Sequence, residues 1–181
     1  LVSRFGGDEF VFFCKVKDRK QCQALARHIL DNPEISRGKR VLDFAAGGGV
    51  ASIALAMAGA AAVTASEIDG YAIAALKLNA ALNDVTFEIT ESDLAREPNQ
   101  GWDIIIAGDV CYERPMSGIV VSWLRDLAAT GATVLMADPG REYLPTDGLA
   151  ELATYQIPTS RELEDSDMRT TVLWRVLAIP L

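Results

Sequence analysis

Basic residues are scarce in this chain: 17 Lys and Arg stand against 25 Asp and Glu, for a formal net charge of −8 over 181 residues. The positive charges gather in no run or stripe, so the counterion release that drives binding to a phosphate backbone has no footprint, and a nucleic-acid partner is not expected. Cysteine is equally sparse. Cys14, Cys22 and Cys111 are an odd number without C-x-x-C spacing and with no second cluster of metal ligands, which predicts reduced thiols in a cytoplasmic protein and no metal. The single histidine, His28, has no partner histidine, faces outward by its spacing and receives no catalytic role. Long apolar runs are missing too. The longest, Val50 to Ala65, is alanine-rich, broken by Gly59 and short for a membrane span, and no basic, apolar, small-residue signal opens the sequence, so no membrane partner is expected. A chain of 19.5 kDa buries roughly 70 % of its unfolded surface, enough for one domain around a single core.

What is present is concentrated in Val41 to Gly49, read V-L-D-F-A-A-G-G-G. A short apolar strand runs into an acid and then into a small-residue cluster that opens a helix, the arrangement of a nucleotide-cofactor loop. Ala45, Gly47 and Gly49 let backbone N–H groups approach a ligand at the partly positive end of a helix. A dinucleotide fingerprint requires a third glycine, and counting from Gly47 that position is Ser52. An acid at Asp43 sits badly beside a pyrophosphate but suits a ligand carrying an ammonium, such as the methionine part of S-adenosylmethionine (SAM). The stretch resembles motif I of the class I, seven-strand methyltransferases.

Beyond it the elements alternate. Val50 to Ala58 reads as a helix stopped by Gly59, Ala62 to Ser66 as a strand, Tyr71 to Leu82 as a helix and Val85 to Thr90 as a strand. Trp102 to Ala107 is a nearly continuous apolar run, as expected of a strand covered on both faces. Helix Ser117 to Ala129 and strand Ala132 to Ala137 follow, and the β-rich tail, Tyr155 to Pro158 with Thr171 to Val176, predicts a closing hairpin. The fold class is therefore α/β: a doubly wound, mostly parallel, Rossmann-like sheet with an antiparallel C-terminal edge hairpin. Trp102, Trp123 and Trp174 read as core.

Ligands of such sheets sit beyond the carboxyl ends of the strands. The residues there are Asp43, Glu67, Asp93 and Asp109. Glu67 lies about twenty residues past the glycine loop, the offset at which an acid accepts both ribose hydroxyls. Each acid alone also fits a solvated turn. Four of them after four consecutive strands favour one shared site.

The segment Gly108-Asp109-Val110-Cys111-Tyr112-Glu113 contains D-x-x-Y after the fourth strand and resembles the signature of seven-strand protein lysine methyltransferases. Together with Gln23-Ala24-Leu25-Ala26-Arg27, Asp31-Asn32-Pro33, Asp138-Pro139-Gly140-Arg141 and Pro158-Thr159-Ser160 through Trp174, it makes residues 23–181 similar to the bacterial branch of the electron-transfer flavoprotein β-subunit lysine methyltransferases. That resemblance implies a SAM-dependent lysine N-methyltransferase acting on a protein, either that flavoprotein subunit or a ribosomal protein. It implies that Asp43, Ala45, Gly47 and Gly49 hold the methionine end of SAM, Glu67 the ribose, and Asp93, the Leu94 backbone and Ile68 the adenine. It places Asp109 and Tyr112 at the acceptor amine, with Asp109 also bordering the cofactor. Tyr112 reads equally as an aromatic packed on the following helix, Glu113 as a solvated residue, and Asp138 to Arg141 as a turn that would line the far rim.

Residues Arg4-Phe5-Gly6-Gly7-Asp8-Glu9-Phe10 look like the hairpin of the GGDEF diguanylate cyclases, but only about twenty residues match and no cyclase activity is implied. They predict an N-terminal β-hairpin, Val2 to Phe5 with Phe10 to Lys15, leading into a helix from Asp18 to Leu30. Residues 1–22 are thus expected to be a hairpin extension and 23–181 the methyltransferase domain. The similar enzymes carry a Pro- and Trp-rich covering segment before the Gln-Ala-Leu-Ala helix, whereas no tryptophan precedes Trp102 here, so the lid is expected to be missing. Two other readings stay open on the same fold: a nicotinamide-dependent oxidoreductase, and a non-catalytic binding module with its lid replaced.

Overall fold

A computed structural model describes residues 2–4, 10–12, 23–158 and 168–178. Strands β1 (Val2–Arg4) and β2 (Phe10–Phe12) pair antiparallel, Val2 opposite Phe12. The glycine turn expected between them and the expected start of the first helix at Asp18 lie outside the described residues; helix α1 is Ala24–Asp31.

The main sheet is built from β3 (Arg40–Phe44), β4 (Ala62–Ser66), β5 (Glu88–Thr90), β6 (Ile104–Gly108), β7 (Thr133–Asp138), β8 (Leu149–Pro158) and β9 (Met168–Val176). Its spatial order is β5-β4-β3-β6-β7-β9-β8, with the first five strands parallel and β9 antiparallel to both of its neighbours. The order reverses between β3 and β6, which pair from Val41↔Ile104 to Phe44↔Ala107. A reversal of this kind opens a crevice at the carboxyl ends, because successive crossovers leave on opposite faces there.

Strict alternation sorts the core into two layers. Val41, Ile104, Ile106, Leu135 and Ala137 face α1 and α2 (Val50–Ala58), while Leu42, Phe44, Ile105, Ala107, Val134 and Met136 face α4 (Met116–Ala129). Strands buried on both faces must be apolar at every position, which explains the unbroken Ile104-Ile105-Ile106-Ala107 run. Seven of the nine residues of α2 are buried, and its alanines let it approach the sheet closely. Helix α3 (Gly70–Leu82) starts at Asp69, whose carboxylate accepts from the Ala72 N–H at 2.7 Å.

Three expected boundaries shift for identifiable reasons. The fifth strand is only Glu88–Thr90, because pairing with β4 begins at Thr64↔Glu88, although Val85 and Phe87 still pack on the core. The sixth starts at Ile104 and not Trp102, since Asn99 captures the Trp102 N–H in a turn. The closing hairpin is longer than expected, with β8 beginning at Leu149 and accommodating a register shift between Glu151 and Ala153. Trp102 and Trp123 are buried as expected, but Trp174 is only partly so.

Gly49 combines φ +77° with a crowded neighbourhood: a Cβ there would lie 2.8 Å from Cγ of the fully buried Leu76. Gly49→Ala is expected to lower stability by about 2–3 kcal/mol, the left-handed penalty plus the forced shift of Leu76, measured by urea unfolding.

Candidate functional site

Backbone bonds hold the loops of the carboxyl lip to one another. The Ala46 N–H donates to the Ser66 carbonyl at the end of β4, the Glu67 N–H to the Thr90 carbonyl at the end of β5, and the Asp109 N–H to the Ala137 carbonyl on β7. The Ser66 hydroxyl reaches the Ser92 carbonyl at 3.2 Å, fixing the segment that carries Asp93. The glycine loop, 45–49, runs through positive φ at Ala45 (+53°), Gly47 (+53°) and Gly49 (+77°). Asn79 of α3, fully buried, donates to the Gly48 carbonyl at 2.9 Å and supports the loop from behind.

Of the four acids, Glu67 is joined directly to this loop. Its Oε2 accepts the Gly47 N–H at 2.7 Å, and its Oε1 accepts the N–H groups of Ile68 and Asp69 at 2.8 and 3.0 Å. Three donors use three of a carboxylate's four lone-pair directions, which leaves one on Oε2. Asp93 is exposed and accepts the Ala95 N–H at 2.9 Å, with Leu94 buried beside it. Ile68 is 64 % exposed on the lip.

Asp43 departs from expectation. It lies inside β3, which continues to Phe44, and alternation turns its side chain inward toward α2, leaving it 3 % exposed. Its Oδ2 accepts from the Ser52 hydroxyl at 2.5 Å. Burial outweighs that bond and pushes the carboxyl from 3.8 to about 7. Asp43 therefore supports the loop through Ser52, with its carboxylate buried beneath the lip. The absence of a third glycine now has a reason: a glycine at position 52 would leave Asp43 without its hydroxyl donor.

Asp109 is the second departure. Its backbone is left-handed, φ +56°, and its carboxylate is clamped by Arg141, Nε to Oδ1 at 2.6 Å and Nη2 to Oδ2 at 2.7 Å. Arg169 of β9 stands 4.0 Å from Oδ2. Asp138, 1 % exposed at the end of β7, accepts the N–H groups of Gly140 and Arg141, both at 2.7 Å, so the expected turn is also the mount for the clamp. Asp109 is thus one half of an ion pair, although its side chain keeps 41 % exposure. Tyr112 is 59 % exposed, which removes the alternative of an aromatic packed on α4. Cys111 is buried, and burial together with Asp138 and Asp109 pushes its thiol up to about 12. His28 does not face outward: it is half-buried, its Nδ1 lies 2.7 Å from the Tyr155 hydroxyl on β8, and burial lowers its pKa.

Two concavities lie elsewhere, a groove of about 640 Å³ between α4 and segment 96–99, and another of about 530 Å³ around Lys39, Asp103 and Thr133 at the amino ends of the strands. Neither receives the strand-end acids. Among the described residues there is no cluster of three or more His, Cys, Asp or Glu able to hold a metal, and no helix long and apolar enough to cross a membrane.

Residues 22–111 match the model of the ribosomal protein L11 methyltransferase (PrmA) family. The chain is 35 % identical over 159 residues to the electron transfer flavoprotein beta subunit lysine methyltransferase of Danio rerio, covering 84 % of this chain and 62 % of that protein. It is 34 % identical over 158 residues to the protein of the same name in Homo sapiens, covering 84 % and 60 %. The chain has the seven-strand methyltransferase fold. It spans about three-fifths of the length of these relatives. In fold it is similar to the magnesium protoporphyrin IX methyltransferase (ChlM) of Synechocystis solved with bound SAM, TM-score 0.61 at 18 % identity, covering 90 % of this chain and 82 % of that one. The family match starts at residue 22, so the GGDEF likeness of the N-terminal hairpin draws no support from it.

Sequence reasoning overlooked Ser52, Asn79 and Arg169 as parts of the lip and took Arg141 only as rim. A buried acid at the carboxyl end of a strand facing a helix start was a usable signal for Ser52. Two measurements follow from the loop. Ala45→Gly relieves a left-handed alanine and is expected to raise stability by about 0.5–1 kcal/mol in urea unfolding. For Asp43, the unfolded chain loses its proton near pH 4 and the native one near 7. The native state thus binds more protons in that window, and this group's contribution to stability falls as pH rises through it. The stability of Asp43→Asn relative to the parent is expected to grow by a few kcal/mol between pH 4 and 7 and then level off; a constant difference would remove the argument.

Proposed function

We propose that the chain is a SAM-dependent protein lysine N-methyltransferase, acting on an electron-transfer flavoprotein β subunit or a ribosomal protein, with residues 23–181 as the catalytic unit and 1–22 as a hairpin extension. The observation that carries this is Asp109, half-open at the point where the strand order reverses and followed by the exposed Tyr112, in a chain 35 % identical over 159 residues to a flavoprotein lysine methyltransferase. Its acidic surface and three cysteines without disulfide spacing suit a cytoplasmic setting and a protein partner, not nucleic acid.

The lip suits the cofactor. Segments 45–49 and 67–69 contain no Lys or Arg, which disfavours a pyrophosphate, and a Cβ on Gly47 would meet nothing within 4 Å, leaving that side of the loop open to a ligand. When bound, SAM supplies a methyl group already activated by a sulfonium. Ala45, Gly47 and Gly49 shape the loop for its methionine end, with Asp43 acting from below through Ser52. Glu67 accepts from the ribose, Asp93 from the adenine amine, and Ile68 and Leu94 flank the ring. Asp109 orients the acceptor amine through the lone pairs its arginine leaves free, and also borders the cofactor. Tyr112 offers a ring face and a hydroxyl acceptor to the amine. Alignment and desolvation are the whole of the protein's task in such a transfer.

Incubation with isotopically labelled SAM, a bacterial lysate and, separately, purified electron-transfer flavoprotein is expected to label protein lysines. Asp109→Asn, which tolerates the left-handed backbone, is expected to lower turnover by roughly 100-fold while calorimetric SAM affinity changes less than about threefold. No heat with SAM or its demethylated product would defeat the proposal.

A further inference from the structure

Resting on the methyltransferase reading, we infer that Arg141 is a positioning residue that offsets the charge of Asp109, so that the acceptor site takes lysine as a neutral amine instead of trapping its ammonium.

The charged and titratable groups recorded around Asp109 are Arg141 from the turn after β7, Arg169 from β9, Asp138 from β7 and the buried Cys111 thiol, with exposed Tyr112 and Glu113 following in its own loop. Among the described residues two guanidinium groups therefore stand against three carboxylates, with Arg141 paired directly to Asp109, and the thiol adds no charge. An amine entering here meets an Asp109 whose charge its own arginine offsets. The clamp is also built to stay. Arg141 makes two charge-assisted bonds in a fork that only a guanidinium can form, at 2.6 and 2.7 Å, and its own N–H is tied at 2.7 Å to a carboxylate that is almost wholly buried. A bidentate arginine occupies two of the four lone-pair directions of Asp109, and the 41 % exposure of that side chain leaves the others to the acceptor.

The chemistry explains why compensation helps. An ammonium has no lone pair to attack with. An isolated carboxylate holds the protonated form and raises the amine's pKa, whereas nearby cations do the reverse. At the compensated site the lysine gives its proton to solvent before attack. Its lone pair then forms the N–C bond as the C–S pair returns to sulfur, producing a neutral thioether and a methylated ammonium. Asp109 can accept an N–H from the neutral amine throughout, so orientation is kept while electrostatic trapping is lost.

The test is the pH dependence of single-turnover kcat, from pH 7 to 10, with SAM and purified electron-transfer flavoprotein as acceptor. Arg141→Gln is expected to move the acid limb of kcat upward by about one unit or more, so that turnover falls roughly tenfold at pH 7.5 and recovers to within a few-fold at pH 10, with no rise in acceptor KM. Arg141→Lys retains the charge without the fork, and its limb is expected to stay within about 0.3 unit of the parent's while kcat drops at every pH. Should Arg141→Gln not fold, Arg169→Gln is expected to move the limb in the same direction by a smaller amount. A limb that stays in place, or a loss uniform in pH, means Arg141 is purely structural and overturns the inference. A raised KM with kcat preserved means Arg141 contacts the acceptor protein and overturns it equally. A parent protein that methylates nothing defeats the methyltransferase reading itself, a result separate from an active parent whose variants show no shift.

Discussion

The bond from the Ser52 hydroxyl to the buried carboxylate of Asp43 joins β3 to the first turn of α2, and the shape of the carboxyl lip depends on that joint. Between its two ends the chain reverses through three left-handed residues, with the Gly49 N–H donating to the Ala46 carbonyl across the turn. Anchoring both ends makes the loop's course follow from the strand and helix that flank it. Asn79 behind the Gly48 carbonyl and Glu67 in front of the Gly47 N–H then remove its remaining freedom. The anchor is itself titratable near neutrality, since burial opposes the charge more strongly than Ser52 supports it.

The acids of the lip are chemically unequal because their surroundings differ. Asp43 is enclosed and poor at carrying charge, Glu67 is satisfied by three backbone donors, Asp93 stands in solvent, and Asp109 is held by arginine. The set therefore divides labour between shaping the loop and offering acceptors to a ligand. An anionic lip made only of free carboxylates would repel itself and stay flexible; ties to N–H groups and guanidinium turn the same charges into fixed acceptors.

The fold was legible because its signals are local. Ile104 to Ala107 could only be a strand covered on both faces, and Gly59 ends α2 with φ +86° as its place after an alanine-rich helix suggested. The separation of 20 residues between Gly47 and Glu67 pointed to a shared ligand, whereas the bond that joins them directly, from the Gly47 N–H to Glu67, was not foreseen. What was not legible depends on contacts distant in sequence. Arg141 reaches Asp109 across 32 positions, and His28 meets Tyr155 across 127. No periodicity encodes either pairing. The inward turn of Asp43 was missed because one more residue of strand, Phe44, decides which face the acid takes.

The antiparallel insertion of β9 explains why the acceptor side of the lip has a wall. Every parallel strand ends at the lip, its chain turning away into a loop or helix. Strand β9 runs the other way, pairs Val172 with Asp138 at the lip itself, and continues through Thr171, Thr170 and Arg169 on the far side while still bonded to β8. An antiparallel ribbon can extend beyond the edge without leaving its backbone groups unpaired, which a parallel strand could not do at that place. This is how Arg169 comes to stand over Asp109. Tyr155, opposite Thr171 in the same ribbon, is braced from below by His28 of α1 and lies under the Arg27 guanidinium, 5.8 Å from the ring centre. The helix that follows Gln23 thus steadies the wall from a distant part of the sequence, and the geometry at Asp109 depends on α1 packing against the β8–β9 ribbon.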